Sequence, residues 1–129
     1  MTEILLSLRP EWWEKIKSGE KTVEVRKSMP QIVHMPFRVV VYLSGSGCIV
    51  GKFDCHELIK TIRPAYLVDG SCLTEAELIR YARGRSLCGW GIKAGSVVEY
   101  EAPIPLEYAT GIKRPPQSWQ YLHKENENE

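Results

Sequence analysis

The sequence lacks long apolar stretches: runs such as Val39-Val40-Val41 fall far short of the roughly 18 residues that a membrane-spanning helix needs. The opening Met1-Thr2-Glu3 carries neither the basic flank nor the small-residue cleavage site of a signal peptide. A cytoplasmic location with no membrane partner is therefore expected. Excess charge of one sign is also missing. Lys and Arg number 17 against 16 Asp and Glu, and the formal net charge of +1 excludes a globally polybasic surface. Any polyanion has to be held by a local cluster. The four cysteines, Cys48, Cys55, Cys72 and Cys88, form no Cys-x-x-Cys knuckle and have no His-x-x-x-His partner, which argues against structural zinc. Cys55 and His56 are neighbours, but adjacent side chains on a strand point to opposite faces. Free, buried or half-buried thiols are expected, with no metal and no cofactor. His34, His56 and His123 share no catalytic or ligand spacing, and the chain shows no internal repeat and no long linker.

What is present suits one globular domain. At 129 residues, 43% hydrophobic and 26% charged, the chain is long enough to bury about two-thirds of its unfolded surface without a covalent staple. The expected domain spans residues 1–123, and the polar stretch 124–129 (Lys-Glu-Asn-Glu-Asn-Glu) reads as a disordered tail.

Strands and helices alternate along the chain. Glu3 to Leu8 is a short apolar run that stops before Arg9-Pro10 and reads as a buried strand. Pro10 suits the first turn of a helix and Gly19 its left-handed end, so a helix over Pro10–Ser18 is expected. Trp12, Trp13 and Ile16 cluster on its apolar stripe. Two adjacent tryptophans stand about 100° apart around a helix, so one belongs to the core and the other to the rim. There it covers the end of the fold or stacks on a base. Lys21 to Lys27 alternates as a second strand, and Phe37–Ser44 and Cys48–Leu58 form a hairpin about Gly45-Ser46-Gly47. Arg63 to Ser71 reads as an irregular loop. The Thr74-x-x-Glu77 capping box opens a second helix that stops at Gly84. Leu87–Lys93 is a strand, and Val97–Tyr108 a last one interrupted by Pro103 and Pro105. The order predicts an α+β, β-rich fold: a small mixed β-barrel with two flanking helices, or else an open sheet.

One segment, Gly19-Glu20-Lys21-Thr22-Val23-Glu24-Val25-Arg26, is poorly explained by folding alone, because a short strand rarely needs so many charges just after a tight turn. By parity Val23 and Val25 share one face, with Thr22, Glu24 and Arg26 on the other, spaced about 7 Å apart from one to the next. Lys21 sits at the turn, free of strict alternation. Arg binds phosphate bidentately, Lys acts as a point charge and Glu accepts a hydrogen from a base or ribose, so the set suits a nucleotide. A solvated strand face with an intra-sheet ion pair is the alternative reading.

The segment resembles the Gly-x-Lys-x-x-Glu-x-Arg signature of the ASCH domain family. Leu5-Leu6-Ser7-Leu8-Arg9-Pro10 with its helix, Ile49-Val50-Gly51-Lys52-Phe53, Pro103-Ile104-Pro105-Leu106 and Pro115-Pro116-Gln117-Ser118-Trp119 are also similar to small bacterial, archaeal and phage members. The resemblance implies a PUA-like fold, namely a small β-barrel with flanking helices, and an RNA or nucleotide-like ligand held beside the signature. It places Lys21, Glu24 and Arg26 in the ligand cleft with the Trp12 helix nearby. Arg9, Thr22, Ser118 and Trp119 complete the candidate ligand set. In the strap from Pro115 to Tyr121, Trp119 is expected chiefly to plug the end of the barrel.

Some members of the resembled family are amidohydrolases that deacetylate N4-acetylcytidine, and others have been described as ribonucleases. In an enzyme of either kind Lys21 and Glu24 are the catalytic candidates. The amidohydrolase branch carries a threonine where Glu24 stands, and a carboxylate cannot replace that hydroxyl in the same chemistry. Thr22 offers a hydroxyl two residues earlier, about 7 Å away. Arg80, Arg83 and Arg85, with Lys113-Arg114, form a further basic group that either extends a phosphate track or is a solvated face.

Overall fold

The computed structural model describes residues 1–128, and Glu129 lies outside them. Among the described residues the strands are Glu3–Leu8 (β1), Val23–Arg26 (β2), Phe37–Leu43 (β3), Cys48–Thr61 (β4), Leu87–Ile92 (β5), Val98–Pro105 (β6) and Trp119–His123 (β7). The helices are Pro10–Ser18 (α1), Glu75–Ala82 (α2) and Leu106–Thr110 (α3), with a 3-10 turn at Pro64–Leu67. None of these helices is long and apolar enough to cross a membrane.

The strands form one mixed sheet in the order β2-β5-β4-β3-β1-β7, with β6 pairing onto the first half of β4. β1 runs parallel to β3, from Glu3↔Arg38 to Leu8↔Leu43, and antiparallel to β7. Its apolar run is continuous because both faces are covered. Ile4, Leu6 and Leu8 join the main core with Trp13, Phe37, Phe53 and Trp90, and Leu5 joins a second core with Tyr42, Ile49 and Leu106. A third cluster of Val25, Leu67, Leu78, Ala82 and Leu87 lies beneath α2. β4 is long enough to serve two neighbours on one edge, pairing with β6 through Cys48–Lys52 and with β5 through Cys55–Thr61, with a register shift inside each pairing, between Ile49 and Gly51 and between Cys55 and Glu57.

Local chemistry fixes the elements that matter for the site. Pro10 starts α1 after an Arg9 N-cap that has no side-chain hydrogen bond, and Gly19 ends it at φ 86°. Trp13 and Ile16 are buried, whereas Trp12 lies half-buried at the edge of the stripe. Gly51 is required where it stands, because a Cβ there would collide with the Val98 carbonyl and come within 2.7 Å of the Trp13 ring. The capping box of α2 is complete: Glu77 N–H donates to Thr74 Oγ1 (3.1 Å) and Thr74 N–H to Glu77 Oε1 (3.0 Å).

The α+β, β-rich reading holds, with three corrections. The sheet is not closed into a barrel, because the outer strands β2 and β7 do not pair with one another. Three helices are present among the described residues rather than two, since the strand expected over Val97–Tyr108 ends at Pro105 and the chain turns into α3. The C-terminal strap is itself partly a strand, β7, which protects one edge of β1. In the tail expected to be disordered, Glu125 N–H donates to Thr2 Oγ1 (3.1 Å), while Glu129 lies outside the described residues.

Candidate functional site

The open sheet leaves a seam between β2 and the β1–β7 end, and the signature segment lies along it. Gly19 ends α1, Lys21 N–H donates back to Lys15 O (3.0 Å), and both Thr22 and Val23 donate to Gly70 O (2.7 and 3.0 Å). Regular alternation therefore begins only at Val23. This turn puts Lys21 on the same side as Glu24 and Arg26, as expected, but it turns Thr22 away. The Thr22 hydroxyl packs so close to Gly70 that a Cβ there would collide with it.

Lys21 is 2% exposed. Its Nζ donates to Ser71 O (2.6 Å), lies 3.8 Å from Glu24 Oε1 and sits 4.9 Å above the Trp12 ring. Burial lowers its pKa below the ordinary 10.5, with the Glu24 carboxylate opposing the fall. Glu24 is 5% exposed. Its Oε1 accepts the Val25 N–H (3.0 Å), and its Oε2 lies 3.6 Å from Arg26 Nη2 but has no hydrogen-bond partner among the described residues. Arg26 spans the seam: Nη2 donates to Ser7 O of β1 (2.7 Å) and Nη1 to Ser118 Oγ just before β7 (3.2 Å). Ser7 completes the joint, donating its N–H to Ser118 O (3.0 Å) and its hydroxyl to Pro116 O (2.7 Å).

Above this floor opens a cleft of about 480 Å³. Trp12 of α1 forms part of the wall, and α2 contributes Glu77, Arg80 and Tyr81 to the lining. Arg9 and Arg80 are exposed cations, and Gln117 of the strap also lines the opening. Lys27 Nζ stands 4.7 Å over the Tyr81 ring, and burial pushes the Tyr81 phenol pKa up. Four cations, Arg9, Lys21, Arg26 and Arg80, line the cleft against two carboxylates, Glu24 and Glu77. The hydrogen bond from Thr74 N–H holds the Glu77 pKa down, so Glu77 stays an anion tied to its own helix. A pocket that combines cations with aromatic walls accommodates a planar, negatively charged ligand.

Of the residues expected from sequence, Arg9, Trp12, Lys21, Glu24 and Arg26 converge on this cleft. Thr22 lies outside its lining. Ser118 holds Arg26 rather than lining the cleft, and Trp119 packs edge-on against Trp90 (5.9 Å between centroids) with Nε1 donating to Ser28 Oγ (2.9 Å). Glu77 and Tyr81 also line the cleft, although neither stands among the site residues expected from sequence. The available signal was their spacing of four, which puts both on one face of α2. Arg80 is in the lining, whereas Arg83, Arg85, Lys113 and Arg114 are not.

Comparison with known proteins identifies the family and the fold. Residues 6–84, more than half of the chain, match the sequence profile of the ASCH domain. Among curated proteins no match is found. The fold is similar to crystal structures of an ASCH protein from Zymomonas mobilis. The unsubstituted form superposes with a TM-score of 0.73 at 23% identity, covering 95% of this chain and 88% of that one. Two single-substitution variants give TM-scores of 0.76 at 23% identity, covering 95% and 89%, and 0.77 at 22%, covering 96% and 92%. At such identity the likeness is one of fold. The signature segment and the profile match together establish that the chain belongs to the ASCH domain family, a family generally thought to bind RNA.

Proposed function

We propose that this chain binds RNA, or a nucleotide-like fragment of it, in the cleft at the seam. The observation that carries the reading is the convergence of Arg9, Trp12, Lys21, Glu24, Arg26, Arg80 and Tyr81 on one opening of about 480 Å³, with the exposed cations Arg9 and Arg80 beside the aromatic rings. Exposed arginines neutralise backbone phosphates at little desolvation cost, and aromatic rings stack on bases of any sequence. A net charge of only +1 makes the local cluster the natural place for a polyanion. The test is fluorescence anisotropy with a short single-stranded RNA at several salt concentrations. Replacing Arg9 and Arg80 together by Ala is expected to make the negative slope of log affinity against log salt shallower by about 1.4, since each phosphate contact on a single strand contributes about 0.7. An unchanged slope contradicts the reading.

One observation favours a second reading, a hydrolase acting on an acylated cytidine or on RNA: Lys21 is buried beside Glu24 with its pKa lowered, as in a group prepared for proton transfer. Against it, the Thr22 hydroxyl stands outside the cleft lining. This reading predicts release of acetate from N4-acetylcytidine, or RNA cleavage, that disappears in Lys21→Met. The absence of turnover at micromolar protein over hours contradicts it.

A further inference from the structure

The hydrogen bonds on the floor of the cleft are unevenly satisfied. Both terminal nitrogens of Arg26 already donate to protein acceptors, Ser7 O and Ser118 Oγ, so its fork is not turned toward a ligand. The Lys21 ammonium faces Ser71 O, Glu24 and the Trp12 ring, and its side chain is 1% exposed. Neither cation offers a phosphate the two-pronged approach that arginine normally makes. The unmet requirement is for a donor: Glu24 is 5% exposed, one of its oxygens accepts only its neighbour's N–H, and the other has no hydrogen-bond partner among the described residues. A buried carboxylate oxygen in this state favours any ligand that brings an N–H to it.

Taking the RNA-binding reading as its basis, we infer that the floor of the cleft reads a nucleobase edge carrying an exocyclic amine, with Glu24 as the acceptor, while phosphates remain at Arg9 and Arg80. Three features select this chemistry. A carboxylate accepts and never donates, so a phosphate oxygen or a bare carbonyl gains nothing from Glu24 and is repelled by it. Trp12 and Tyr81 in the lining favour a flat ring over an aliphatic amine. Arg9 and Arg80 are exposed, so they can take a sugar-phosphate chain without stripping it of water. Glu24 Oε2 is buried, so the base meets it once the carboxylate turns about χ3, a soft torsion, and Oε1 gives up the Val25 N–H. Glu24 thus acts as a specificity-determining residue and Arg26 as the residue that positions it.

The test uses the unmodified chain and three pairs of single-stranded trinucleotides that differ only in the central base: adenosine against purine riboside, cytidine against pyrimidin-2-one riboside, and guanosine against inosine. Each pair deletes one exocyclic amine. In the pair containing the preferred base, the deletion is expected to weaken binding by about tenfold, the loss of one hydrogen bond to a charged acceptor. Glu24→Gln should shrink that ratio, and the Arg9→Ala, Arg80→Ala double variant should weaken both members of the pair while leaving the ratio intact. Ratios near one in all three pairs, with RNA still bound, overturn the inference and leave the proposed function standing. Failure of every trinucleotide and of longer RNA to bind overturns both.

Discussion

Arg26 joins edge strand β2 to segments with which β2 shares no backbone pairing, because its guanidinium fork reaches Ser7 on β1 and Ser118 beside β7 while lying 3.6 Å from the buried Glu24 carboxylate. Removing it leaves a buried carboxylate beside the lysine alone and opens the joint. Arg26→Ala is therefore expected to lower unfolding free energy by about 3 kcal/mol, read from the urea midpoint. Arg26→Lys should recover only part of this, because an ammonium cannot span both acceptors. A midpoint unchanged by Arg26→Ala contradicts the bridging role. Lys21 gives a pH signature. Its folded pKa lies below the ordinary 10.5, so between those two values the unfolded chain binds more protons, and stability rises with pH. Wild type should accordingly gain stability relative to Lys21→Met as pH climbs toward 10.5, measured as a widening difference in urea midpoint; a constant difference contradicts it. At this scale the residues of the candidate site were largely legible. The charges of Lys21, Glu24 and Arg26 after a glycine turn marked the segment, and parity placed Glu24 and Arg26 together. Parity failed for Thr22, because the turn held by Gly70 O delays the start of alternation to Val23.

Among the elements, α2 carries Glu77, Arg80 and Tyr81 into the cleft and depends on its capping box for its first turn. Thr74→Ala is expected to cost about 1 kcal/mol of stability and, by fraying that turn, to weaken RNA binding severalfold even though Thr74 is not in the cleft lining. A stability loss without any change in affinity contradicts the positioning role of the helix. The box was legible because its residue types and spacing are local. So were both ends of α1, set by Pro10 and Gly19. α3 was not legible: five residues are too few to show a helical period, and Pro103 and Pro105 read as an interrupted strand. β7 was missed for a related reason. Its first four residues are all half-buried, so no alternation distinguishes it from an extended strap.

In the whole molecule the sheet order decides where the site lies, and that order is long-range information. The parallel pairing of β1 with β3 sends β2 to the far edge beside β5, and nothing in the local pattern of either strand specifies this. The expected barrel closure does not form, and Arg26 bridges through side chains what the backbone leaves unpaired. The cleft is a consequence of that incomplete closure. Whether RNA enters at this seam is read by titrating a short single-stranded RNA into the isotopically labelled chain and following the amide and indole N–H resonances. Shifts are expected in the Trp12 indole and in the amides of Lys21, Glu24, Arg26 and Arg80, with Tyr108 on α3 unaffected. Shifts confined to α3 and β6, or no shifts at saturating RNA, would contradict it.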